Sequence, residues 1–106
     1  MNSNNSIKGR TVIITGGNRG LGREMALNLA KAGVKLCITA SKDGKAYEET
    51  SNELIAILGE NNFLGKIVDV SDSKGMEILI NDFIEKFSRI DVLVNNAARG
   101  MRLISE

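Results

Sequence analysis

A chain of 106 residues, 42% hydrophobic and 25% charged, has the composition of one folded domain, which excludes disorder throughout. Its 14 basic and 13 acidic side chains leave a net charge of +1, so nothing electrostatic favours nucleic acid or an acidic membrane surface as partner. No apolar run approaches the roughly 20 residues needed to span a bilayer, and with no histidine and one cysteine there is no cluster to hold zinc.

Residues 1–7 read as a polar, disordered arm without a signal-peptide core, and residues 8–106 as the folded domain. The first strand is expected over about Thr11 to Thr15. It runs into Thr15-Gly16-Gly17-Asn18-Arg19-Gly20-Leu21-Gly22, which opens a helix from about Gly20 to Ala32 with Leu21, Met25, Ala26, Leu29 and Ala30 at helical spacing. Gly33 follows as its C-terminal stop. A strand that turns through spaced glycines into a helix is built to hold a pyrophosphate. Glycine tolerates positive φ and lets backbone approach the ligand. The free N–H groups and positive dipole end of the helix then meet the negative charge.

The second strand spans about Val34 to Ala40 and contains Cys37, read as a small buried hydrophobe in the cytoplasm or another reducing compartment. A second helix, about Ala46 to Leu58, stops at Gly59 and offers Leu54, Ile57 and Leu58 as its buried stripe. The third strand is expected over about Leu64 to Asp69. A third helix begins at the cap candidates Ser71 and Asp72 and places Met76, Leu79, Ile80, Phe83 and Phe87 in the core. The fourth strand covers about Asp91 to Asn95.

The strands are continuously apolar, as strands covered on both faces are. Strand–helix–strand units with right-handed crossovers then give an α/β, Rossmann-type three-layer αβα sandwich. The expected parallel sheet has the partial order 3-2-1-4, a truncated doubly wound fold whose ligand lies outside the carboxyl ends of the strands, at the switch between strands one and four. The fourth strand would stand at an apolar, unpaired edge, which favours association.

Gly16, Gly20 and Gly22 fit T-G-x-x-x-G-x-G, and here the chain resembles the short-chain dehydrogenase/reductase family. Asp69-Val70 matches the family's Asp-Val pair beside the adenine ring, and Asn95-Asn96-Ala97-Ala98 resembles its N-N-A-G, with Ala98 in place of glycine. The motifs fall in family order and spacing, from about Lys8 onward, but cover only the first half of the family's pattern. The resemblance implies a nicotinamide dinucleotide as cofactor and a homo-oligomeric full-length relative. It places Gly16, Asn18, Arg19, Gly20, Leu21 and Gly22 around the phosphates, Asp69 and Val70 at the adenine, and Asn96 with Ala97 at the nicotinamide-side ribose.

Which dinucleotide is bound turns on the end of strand two, Thr39-Ala40-Ser41-Lys42-Asp43. An NAD-preferring site usually carries an acidic residue roughly 20 positions past the glycines. Ser41 stands in that place and Lys42 follows; a hydroxyl and an ammonium bond a 2′-phosphate that a carboxylate would repel. With Arg19 on the same side, the expected cofactor is NADP rather than NAD. A strand ending one or two residues later would make Asp43 the ribose ligand and reverse the preference.

The family's chemistry uses a serine and a Tyr-x-x-x-Lys pair. The one tyrosine here, Tyr47, is followed four residues later by Ser51, so it reads as helix packing or surface, and no catalytic residue is assigned. Arg99, Arg102 and Ser105 match no part of the catalytic pattern. The expected function is the cofactor-binding half of an NADP-dependent short-chain oxidoreductase acting on an alcohol or carbonyl. The alternatives are a non-catalytic nucleotide-binding or regulatory module, and an inactive truncated product. A methyltransferase lacks these motifs, and a phosphate-cradling P-loop is excluded by the absence of G-x-x-x-x-G-K followed by Ser or Thr.

Overall fold

The structure, a computed structural model, describes residues 7–97. Four strands and three longer helices alternate: β1 (Thr11–Thr15), α1 (Gly20–Lys31), β2 (Lys35–Ala40), α2 (Lys45–Leu58), β3 (Phe63–Ile67), α3 (Ser73–Phe87) and β4 (Val92–Asn95). A single 3₁₀ turn, Glu60–Asn62, joins α2 to β3. All pairings are parallel and the order is β3-β2-β1-β4, as the strand–helix rhythm implies.

The pleat explains the continuous apolar strands. Val12, Ile14, Leu36 and Ile38 pack with Ala26, Ala30 and Leu54 of α1 and α2 on one face. Ile13 and Cys37 point the other way, onto Leu79, Phe83 and Phe87 of α3. Burial on both faces removes alternation, as a parallel sheet requires. Cys37 is fully buried, and burial pushes its thiol up to about 12, so it behaves as a small hydrophobe. Ile7, placed by the sequence in the polar arm, packs against the first cluster. The rest of that arm lies outside the described residues.

Three local expectations are corrected. β3 ends at Ile67 rather than Asp69, because its pairing stops where β2 stops, at Ala40↔Ile67. Asp69 then folds back, its Oδ1 accepting the Ser71 N–H at 2.9 Å and the Ser71 hydroxyl at 2.7 Å. Ile57, expected in the buried stripe of α2, is 41% exposed; Thr50 and Leu54 fill the buried positions. Leu21, the first apolar position of α1, is 69% exposed, and the helix buries Gly22 together with Ala26 and Ala30 of the expected run. Asp72 does precede α3, but its side chain makes no capping hydrogen bond.

Candidate functional site: a cleft at the carboxyl ends of the strands

Beyond the C-terminal ends of β1, β2 and β4 lies a cleft of about 650 Å³. Gly16, Asn18, Arg19, Ser41, Asp69, Val70, Asn96 and Ala97 line it together with Thr39, Val68 and Ser71. Four stretches far apart in sequence thus meet at the switch between β1 and β4. Gly20, Leu21, Gly22 and Lys42 lie outside this lining. Ala98 lies outside the described residues, as do Arg99, Arg102 and Ser105.

The glycines differ in what they do. Gly16 has φ +71° and Gly20 φ +61°, in the left-handed region that favours glycine. A Cβ at Gly20 would meet nothing within 4 Å, so the space in front of the turn is open. Gly22 is buried, and a Cβ there would stand 2.3 Å from the Gly16 carbonyl oxygen and 2.5 Å from Asn96 Nδ2. It lets α1 press onto the turn rather than letting a ligand approach.

Threonines and asparagines fasten the walls. Thr39 Oγ1 accepts the Gly16 N–H at 3.1 Å, and the Thr50 hydroxyl donates to the Asn18 carbonyl at 2.9 Å. Asn96 Nδ2 donates to the Gly16 carbonyl at 3.2 Å. Thr15 Oγ1 accepts the Ala97 N–H at 3.1 Å, and its hydroxyl faces the Val94 carbonyl and Asn95 Oδ1, each at 3.3 Å. Arg19, the residue before α1, is extended and its side chain does not cap the helix. The first N–H groups of an α-helix have no intrahelical partner, and those of α1 follow directly on the turn that lines the cleft.

Thr39, Val68 and Ser71 were not expected from the sequence to line the site. Threonine is an ordinary strand residue, so Thr39 inside an apolar run carries no signal of its own. Ser71 was expected as a helix cap and instead binds the Asp69 carboxylate. Asp43 is exposed, outside the lining, and accepts its neighbour Gly44's N–H at 2.9 Å. Tyr47 packs its hydroxyl toward β3, where a Cβ at Gly65 would stand 2.4 Å from it, and burial pushes its phenol above the ordinary value. No group of metal-ligating side chains is present among the described residues, and no helix among them is long and apolar enough to cross a membrane.

A parallel 3-2-1-4 sheet with a glycine turn at its switch point defines a dinucleotide-fold protein. The family model for short chain dehydrogenases matches residues 10–106, and the chain belongs to that family. The short chain dehydrogenase/reductase astE of Aspergillus oryzae is 38% identical over 93 residues, which is 88% of this chain and 35% of that protein. The chain thus spans about a third of the length of that relative. The RhlG/NADP active-site complex of Pseudomonas aeruginosa superposes with a TM-score of 0.76 at 33% identity, covering 93% of this chain and 38% of that one. An NADH-dependent reductase complexed with NAD gives 0.78 at 27% identity, covering 91% and 39%. Solved structures holding either dinucleotide therefore share this fold.

Proposed function

We propose that this chain binds NADP(H) in the cleft and forms the cofactor-binding region of an oxidoreductase acting on an alcohol or carbonyl. One observation carries the reading: Gly16, Asn18 and Arg19, Asp69 with Val70, and Asn96 with Ala97 line a single cleft at the sheet's switch point. Its volume of about 650 Å³ suits a small-molecule site. The open space before Gly20 and the uncapped start of α1 fit a pyrophosphate.

In this reading Gly16, Asn18, Arg19, Gly20 and Leu21 surround the phosphates, and Gly22 holds α1 against the turn that binds them. Ser41 and Lys42 meet the 2′-phosphate, Asp69 and Val70 the adenine, and Asn96 with Ala97 the nicotinamide-side ribose. The end of β2 supports NADP. The strand stops at Ala40, so Ser41 is the first residue past it and lines the cleft, while Asp43 is occupied with Gly44. When bound, the nicotinamide supplies or takes up a hydride. The lining residues orient it, and none of them is assigned the accompanying proton transfer.

Calorimetry on the full chain tests the assignment. NADP is expected to bind more tightly than NAD. Lys42→Asp should weaken NADP by about 10- to 100-fold, the worth of one charge-assisted hydrogen bond. Tighter binding of NAD, or a Lys42→Asp variant with unchanged preference, contradicts it.

A further inference from the structure

The stretch from Gly16 to Gly22 contains four glycines, and left to itself such a backbone samples many conformations. Two buried threonines outside the stretch restrain it. Thr39, next to last in β2, is 1% exposed and accepts the Gly16 N–H. Thr50, in α2, is 1% exposed and donates to the Asn18 carbonyl. Valine has nearly the same shape and carries no desolvation cost, so a buried hydroxyl is retained at a cost unless it is paired. Both hydroxyls are paired, and both pair with backbone groups of the same turn, across 23 and 32 residues of sequence.

With the Asn96 amide on the Gly16 carbonyl, both polar backbone groups of Gly16 and the carbonyl of Asn18 have protein partners. What the turn offers outward is its remaining N–H groups and those at the start of α1. An anion held by several backbone N–H groups binds best when those groups already point at it, since ordering them on binding costs affinity.

We propose that Thr39 and Thr50 form a two-point hydroxyl clamp that positions the glycine turn for a dinucleotide's pyrophosphate. The inference rests on the cofactor reading above. The two residues are positioning residues that act through the turn. Without Thr39's hydroxyl, the part-buried Gly16 N–H faces a methyl group in place of its acceptor. The turn relieves that by rotating, which turns its outward N–H groups off the phosphates. Without Thr50's hydroxyl, the Asn18 carbonyl is released and the turn swings away from α2.

Calorimetry with two probes separates this role from a general structural one. NADP contains the pyrophosphate, whereas adenosine 2′-monophosphate keeps the adenine and 2′-phosphate without it. Thr39→Val and Thr50→Val are each expected to weaken NADP about tenfold, the loss of one hydrogen bond's worth of order. Adenosine 2′-monophosphate should bind as it does to the wild type, and Thr39→Ser and Thr50→Ser should restore NADP binding. Amide exchange on the free protein gives a second readout: Gly16 should lose protection in Thr39→Val while Ile13 and Ile14 of β1 keep theirs. Should Thr39→Val fail to fold, Thr39→Cys, a weaker acceptor of similar volume, should show a smaller loss in the same direction. NADP affinity unchanged in the valine variants, or both probes weakened equally, overturns the clamp. A wild-type chain that binds neither NADP nor NAD defeats the cofactor reading instead. In that case unchanged Gly16 exchange in Thr39→Val would overturn the clamp separately.

Discussion

The two sides of the cleft are built to different standards. β1 is buried at every position and β2 at all but its first, each paired on both sides and covered by helices. β4 pairs only with β1 among the described residues, and its Val92 and Leu93 are 44% and 52% exposed. The glycine turn grows from the buried side and is fastened to β2 and α2 by Thr39 and Thr50. Asn96 and Ala97 grow from the exposed side and are fastened to β1 and its turn through Thr15 and Gly16. The glycine-turn wall is therefore the more firmly fastened one. The opposite wall takes its position from it.

Core truncation exposes this asymmetry most strongly. Leu36→Ala, at a fully buried β2 position, is expected to cost about 2–5 kcal/mol in urea unfolding, through lost burial and the cavity left behind. Leu93→Ala on β4 should stay within about 1 kcal/mol, as for other exposed sites. Comparable losses at the two positions would remove the distinction.

Gly22→Ala strikes the seam between the walls, since its Cβ would meet the Gly16 carbonyl and the Asn96 amide. Overpacking of this kind should cost about 1–3 kcal/mol and weaken NADP binding by displacing both walls. A variant with wild-type melting and affinity would show that α1 has room to retreat. Thr15→Val unfastens only the second wall, leaving the Ala97 N–H without its acceptor. About 1–2 kcal/mol of stability should be lost, for an unmade hydrogen bond at a part-buried site. Amide exchange should then quicken at Ala97 and leave Gly16 unchanged.

The smallest effect lies at the far end of the β1–β4 seam. Asp91, just before β4, accepts Arg89 Nε at 3.0 Å and the Thr11 N–H at 3.0 Å. The Arg89 guanidinium first, and then the Thr11 N–H, hold its carboxyl down at about 2. An unfolded aspartate titrates near 3.9. The stability Asp91 contributes is thus fully present above about pH 4 and lost as pH falls through about 2. Asp91→Asn should lose that contribution at every pH above about 4 and so flatten the fall in stability across the acid window. An unaltered acid profile would show that the seam does not depend on this carboxylate.

Much of this arrangement is legible in the sequence because few forces compete with the pattern. β1 begins and ends where its apolar run does, and β2 and β4 differ from their runs by one residue. β3 differs more, because its end is set by a partner strand and by the turn at Asp69, neither of which hydropathy records. Gly16, Asn18, Arg19, Ser41, Asp69, Val70, Asn96 and Ala97 come together because motif order fixes which loops share one end of a parallel sheet. Thr39 and Thr50 stay hidden for the opposite reason. Their pattern is that of ordinary buried strand and helix positions, and only the fold shows that both hydroxyls reach the same turn.

Nuclear magnetic resonance titration of the full chain with NADP tests the central claim most directly. Amide shifts are expected to concentrate at Gly16 to Gly22, Ser41, Lys42, Asp69 to Ser71, Asn96 and Ala97, with the edge residues Val92 and Leu93 unmoved. Shifts centred away from the glycine turn, or none at millimolar NADP, would contradict the cleft as the dinucleotide site.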